Sequence, residues 1–331
     1  MCNKKVSIIT ATYNLVSKNQ KSYFYEMFRS IHEQDYPYIE HIIVDGESND
    51  GSIEFIRNII NKYAKKEIKF VSKKDKNLNE ATNYGFSLAT GEYITLMCDD
   101  DFYTNKFSIS KLMDKIIQFN YDYIYSDTWW LNREIWLSND KDFAWRHPFL
   151  INACIFKKEI LGTEVYLNEK YPMVGDYDFF MRLLKKENVQ GGKVKDVLTV
   201  LRPGGYSQSD PTQYISEIKN ILQMHFDSKF ISGEELWNEL HSMNPSILLL
   251  LKIKFFCKNK KIKDSVFNAF SIKRCIKKYI RFITGKLEYL LFLKFITKYF
   301  RKKKKQITQQ KVLYTRGKAR EWIETFYNVL Y

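Results

Sequence analysis

The chain has 331 residues, 45% of them hydrophobic, which is enough for a buried core and excludes a disordered chain. Its formal charge of +15 is local: between Lys252 and Lys305 stand 19 Lys and Arg against Asp264 and Glu288, a balance of +17 that leaves the rest at −2. That distribution argues against nucleic acid as a partner, and five scattered cysteines without a CxxC pair argue against a zinc ribbon or a disulfide framework. The N-terminus MCNKKVSIIT enters a strand pattern with no leader-like apolar run, so a reducing, cytoplasmic setting is expected.

In chain order, VSIITATY (6–13) is rich in β-branched residues and stops at Asn14, which predicts a strand. Phe24, Met27, Phe28 and Ile31, spaced by three and four, predict a helix that ends before Tyr36-Pro37. HIIVDG (41–46) reads as the next strand, followed by a helix from Ser52 to Ala64 with Ile53, Ile56, Ile60 and Tyr63 on one face. IKFVS (68–72) is a third strand, Glu80 to Ala89 a third helix, and YITLMC (93–98) a fourth strand that breaks off into Asp99, Asp100 and Asp101. Strands alternating with helices predict an α/β fold with a mostly parallel sheet, whose ligands bind beyond the carboxyl ends of the strands. Three such ends carry suitable groups: Thr12-Tyr13-Asn14, Asp45-Gly46 and the aspartate triplet. Adjacent carboxylates repel one another, and a divalent cation that cancels the repulsion makes their clustering tolerable; hard oxygen ligands suit magnesium or manganese.

Between Tyr103 and Leu150 the pattern predicts no clear element. Trp129, Trp130, Trp136 and Trp145 cluster there, with faces suited equally to sugar rings and to core packing. His147 precedes a strand-like segment and reads as packed or solvated, with contact to a bound molecule as the alternative. DYDFFMRLLKK, from Asp176, predicts a helix on which Asp176 is either a catalytic carboxylate or an N-terminal cap and Arg182 a carboxylate partner. From Pro245 the composition shifts. Ile272, Cys275, Ile276, Tyr279, Ile280 and Ile283 recur at three and four with basic residues between, the pattern of an amphipathic helix on an anionic membrane surface. No run reaches the ~20 apolar residues of a membrane span. Packing against the fold or a protein partner is the competing reading of the tail, and GKAREWIETFYNVLY is expected to form a closing helix.

TATYN (10–14), VDGESNDGS (44–52), KDKNLNEATNYGFSLATGEYI (74–94), the aspartate triplet, GDYDFFMRL (175–183) and PGGYS (203–207) occur in an order that resembles family 2 glycosyltransferases over residues 4–210. The resemblance implies a GT-A, Rossmann-like domain over 1–225, followed by a helical, basic region over 226–331. It implies an inverting enzyme that moves a sugar, a hexose in type, from a nucleotide-sugar donor, taken as a UDP-sugar, to a glycan or lipid-linked acceptor in bacterial surface polysaccharide synthesis. Tyr13, Asp45, Asp99 and Asp100 then fall at donor-binding positions, with Asp101 and Asp99 as metal ligands for Mn2+ or Mg2+ and Asp176 as the catalytic base. A loop holding Arg202 and Gly204 to Ser207 would close over the diphosphate, with Arg202 as its partner. Cys98 stands where many relatives carry aspartate or asparagine, which leaves the roles of the three aspartates open by one residue. Asn77 and Glu80 replace a usual glycine and aspartate. The membrane-facing tail would place the protein at the inner face of the cell membrane. A catalytically inactive binding protein of the same fold, docked through its tail, is the alternative.

Overall fold

The computed structural model describes residues 3–162 and 166–271. The basic helix expected from Ile272 and the segment around Trp322 lie outside the described residues.

The β-branched runs form the centre of the sheet. β1 (Val6–Thr12) is buried at every position and pairs in parallel with β2 (Ile39–Asp45), equally buried, as expected of strands covered on both faces. Between them runs α1 (Lys21–His32), whose Phe24, Met27, Phe28 and Ile31 are buried as their spacing predicts. α2 (Ser52–Tyr63) leads to the more exposed β3 (Glu67–Ser72), and α3 (Leu78–Leu88) is capped by Asn77, whose side chain accepts the Glu80 N–H at 3.1 Å. β4 (Tyr93–Leu96) returns to the other side of β1, also in parallel.

The second half adds β5 (Phe102–Tyr103), α4 (Ser108–Gln118), β6 (Tyr123–Trp130), β7 (Ile135–Trp136), β8 (Cys154–Lys157), α5 (Gly175–Leu184), β9 (Gly191–Leu201) and α6 (Pro211–Phe226). The described residues form a nine-stranded sheet in the order β3-β2-β1-β4-β8-β6-β9-β5, with β7 beside β6. It is parallel from β3 to β4, and antiparallel where β8 meets β4 and β6. Strand order reverses between β1 and β4, so their carboxyl ends open the crevice in which such sheets hold ligands.

After α6 come α7 (Gly233–Leu236), α8 (Ile247–Phe256) and α9 (Lys260–Ala269). They belong to the same compact unit, which runs to Ser271. The physical reason is local: the Ala144 N–H donates to Ser265 Oγ at 3.1 Å, and the Phe270 ring packs edge-on to Trp145 at 5.5 Å.

Candidate active site

Two strand ends are tied together first. Thr12 and Asp45 are in register across β1 and β2. The buried Asp45 carboxylate accepts the Ser48 N–H at 2.9 Å, the Ser48 hydroxyl at 2.5 Å and the Ser72 hydroxyl at 2.9 Å. Ser48 Oγ in turn accepts the Asn14 N–H at 2.8 Å, fixing Asn14 in the left-handed region at φ 53°, which asparagine tolerates. Asp45, expected to line the donor pocket, is thus held within this turn. Tyr13 stays 47% exposed, with Lys18 Nζ 5.3 Å from its ring centroid. A Cβ at Gly46 would fall 2.6 Å from Asp75 Oδ2 and 3.2 Å from Tyr13 Cδ2, so the glycine lets Asp75 and Tyr13 close on the same spot. Burial, then the charges of Glu80 and Asp45, raise the Asp75 carboxyl above the ordinary range. Asp75 went unremarked in the sequence, although it lies within the KDKN stretch.

The triplet turns back on itself beyond β4, with the Asp101 N–H donating to the Cys98 carbonyl at 3.3 Å. Asp101 is fully buried; its Oδ1 accepts the Arg202 backbone N–H and its Oδ2 accepts Asn152 Nδ2, both at 2.9 Å. Arg202, expected to grip the diphosphate, directs its guanidinium to the Asp100 carbonyl and to Glu26, between the rings of Tyr23 and Phe102 at 4.5 and 4.7 Å. It therefore fastens the loop after β9 to the aspartate turn. Burial and the Asp100 charge push Asp99 up to about 7, against the Thr12 hydroxyl and the Lys18 ammonium. Burial also raises Asp100, opposed by its own backbone N–H and Arg202, and lifts Asp101 well up with help from Asp100. Cys98 Sγ and carboxylate oxygens of Asp100 and Asp101 lie within 4.8 Å of one another, a donor set that fits a divalent ion; Asp99 is outside that group.

Asp176 stands in the first turn of α5, whose N-cap is Val174, so it is not the cap. Its Oδ1 accepts the Tyr177 N–H at 2.8 Å, while Oδ2 is 3.9 Å from Nδ1 of His147 and the side chain is 25% exposed. The positive end of the helix favours the carboxylate there. Gly175 lets this helix start approach α3, since a Cβ would fall 2.4 Å from Asn79 Nδ2. Glu217 on α6 accepts the N–H groups of Met173 and Val174 at 3.0 and 3.3 Å, holding the segment that leads into Asp176. Asp178 is buried against His225 Nε2 at 2.8 Å and Arg182 Nε at 2.9 Å, so Arg182 is a structural carboxylate partner. Burial, then the charges of Asp101, Asp100, Asp99 and Asp176, push the Cys98 thiol well up. The helix carboxylate and the triplet therefore both bear on the Cys98 thiol.

Of the tryptophans, Trp129 is 45% exposed, Trp130 and Trp136 lie 6.4 Å apart, and Arg146 stacks between Trp136 and Trp145 at 5.8 and 5.2 Å. His147 lies against the Tyr177 ring at 4.7 Å, lowered by burial and raised by Asp176. Asn152 and Glu217 carried no signal in the sequence; their partners are 51 and 44 residues away.

The sequence model of glycosyl transferase family 2 matches residues 7–190, more than half of the chain. An uncharacterized glycosyltransferase of Haemophilus influenzae is 36% identical over 100 residues, a match that spans 30% of this chain and 38% of that protein. The fold is similar to that of TarS 1–349 from S. aureus solved with UDP-GlcNAc, with TM-score 0.57 and 18% identity over 80% of this chain and 79% of that one. It is also similar to the mannosyltransferase PcManGT from Pyrobaculum calidifontis solved with GDP-Man and Mn2+, with TM-score 0.50 and 17% identity over 87% and 81% of the two chains. The architecture is the GT-A fold of such enzymes. On the family match and the order of strands around this crevice, the protein belongs to glycosyl transferase family 2.

Proposed function

We propose that the protein moves a sugar, with inversion, from a nucleotide diphosphate to a hydroxyl of a glycan or lipid-linked acceptor in the synthesis of a cell-surface polysaccharide. The observation that carries this reading is the family 2 match over residues 7–190 together with an acidic triplet just beyond β4, where strand order reverses. The open face of Tyr13 offers a stacking surface for the nucleotide base, beside Asp75 and above the Asp45 turn. Asp176, partly exposed at a helix N-terminus, accepts the proton of the attacking hydroxyl, and attack opposite the diphosphate inverts the anomeric carbon. Asp100 and Asp101, with Asp99 alongside, would hold Mn2+ or Mg2+, and such an ion supplies charge neutralisation for the departing diphosphate. Gly204, at φ 90°, and Gly205 let the loop after β9 bend toward Asp100 while Arg202 anchors its start.

The donors recorded for the neighbours, UDP-GlcNAc and GDP-Man, support a nucleotide sugar here, and we take a UDP-sugar as the first candidate. The basic segment after Lys252 supports attachment to an anionic membrane surface at the cytoplasmic side. Among the described residues no helix is long and apolar enough to cross a membrane. Incubating the full chain with Mn2+, a panel of nucleotide sugars and an acceptor mixture is expected to release nucleoside diphosphate from one donor, and that donor is expected to raise the melting temperature. No release and no stabilisation by any donor would overturn the reading in favour of a non-catalytic protein.

A further inference from the structure

We propose that Cys98 is itself a ligand of the bound metal, making the centre a mixed thiolate and carboxylate site selective for softer divalent ions over magnesium. The inference rests on the reading of this crevice as a metal-dependent nucleotide-sugar site.

The turn after β4 carries the first argument. The Asp101 N–H bonded to the Cys98 carbonyl folds the chain back, so that Cys98 Sγ and oxygens of Asp100 and Asp101 come within 4.8 Å of one another. Ligands about 2.3 Å (sulfur) and about 2.1 Å (oxygen) from one ion stand roughly 3 to 4.4 Å apart, so the three atoms come to share one ion after closing by on the order of an ångström. A second, independent observation comes from β8's approach segment. Asn152 is 2% exposed and gives its Nδ2 to Asp101, while Oδ1 of the same carboxamide is buried with no hydrogen-bond partner among the described residues. A buried acceptor left without a partner is unfavourable by about 1–3 kcal/mol, and a cation or its bound water at this edge would relieve it. Third, Asp99, the aspartate that the sequence pattern offers as the companion of Asp101, is not among the groups that come within 4.8 Å of one another, whereas the Cys98 thiol is.

Thiolate and carboxylate carry the same charge, so the exchange leaves electrostatics unchanged and alters softness. As the sulfur–metal bond forms, the thiol proton passes to solvent. Magnesium accepts sulfur poorly and holds its waters, whereas manganese accepts it better and cobalt, zinc and cadmium favour it.

The test is a titration of the full-length protein with cobalt or cadmium, followed by the sulfur-to-metal charge-transfer absorption. The natural chain is expected to show a band that saturates at one ion and disappears in Cys98→Ser. Cys98→Asp is expected to lack the band while shifting affinity toward magnesium over cadmium by about tenfold or more. A band of equal intensity in Cys98→Ser, or no band in the natural chain, overturns the assignment. Calorimetry of UDP and GDP with manganese on the same samples separates the two failures. Nucleotide binding without a band sinks the Cys98 assignment alone; neither nucleotide binding nor a band sinks the transferase reading as well.

Discussion

Asp176 and Gly46 show how much single positions decide. Asp176→Asn keeps the shape and the bond from Tyr177 N–H but removes the carboxylate proposed as the proton acceptor. Transfer should fall by about 10²- to 10⁴-fold while calorimetry finds donor affinity unchanged; an active variant would move the base elsewhere. Gly46→Ala drives a methyl to 2.6 Å from Asp75 Oδ2, the free end of a side chain, which can swing away. The fold should therefore survive with a melting temperature near that of the natural chain, while nucleotide affinity drops because Asp75 and Tyr13 no longer meet. At this scale the sequence was legible where chemistry is written in consecutive residues: the triplet, the Thr12-Tyr13-Asn14 turn, and Asp176 heading its helix. It was silent about what the side chains are spent on. Nothing local to Arg202 tells that Glu26 and the Asp100 carbonyl take its guanidinium, and nothing local to Asp45 tells that two serines saturate it.

Among elements, the β1 to β4 half was legible because β1, β2 and β4 are rich in β-branched and apolar residues, β3 alternates apolar with polar residues, and the helices carry apolar residues at spacings of three and four. The half that follows was not, because two-residue strands such as β5 and β7 exist only through their partners, β9 and β6. The strand expected to reach Cys98 ends at Leu96, since the next residues turn to bring Asp101 inward. One inter-element link has a pH signature. The backbone N–H groups of Lys65 and Lys66 donate to His32 Nδ1 at 3.0 and 3.1 Å, so His32 Nε2 carries the proton and donates to His41 Nδ1 at 3.2 Å. His41 Nε2 then donates to Thr10 Oγ1 at 3.1 Å, and both imidazoles are neutral. Burial, then the charges of Lys66 and Lys65, lower His32 to about 4, and burial lowers His41 further below its ordinary value. The unfolded chain therefore binds more protons between pH 6.5 and 4, and stability falls as pH falls through that window, by on the order of 3 kcal/mol for His32 alone. Urea unfolding at several pH values checks this, and His32→Gln should flatten the dependence.

Across the whole molecule, charge and packing divide the chain at different places. The basic stretch begins at Lys252, yet the compact unit runs to Ser271, because α9 and Phe270 pack against the segment that carries Trp145 and His147. A chain cut after Ser271 should keep its melting temperature and its nucleotide binding and lose flotation with anionic vesicles. Removing everything from Pro245 should instead lower the melting temperature by stripping α8 and α9. Flotation that persists after the shorter cut would move the membrane contact into the catalytic unit.

The clamp on Asp101 also sets a timetable for biosynthesis. One carboxylate waits for Asn152 and for the backbone of Arg202, which emerge from the ribosome about fifty and a hundred residues after it. Until both arrive, the nascent polypeptide holds the Asp101 carboxylate without either of these donors, so the turn after β4 gains its buried hydrogen bonds only once β9 is complete.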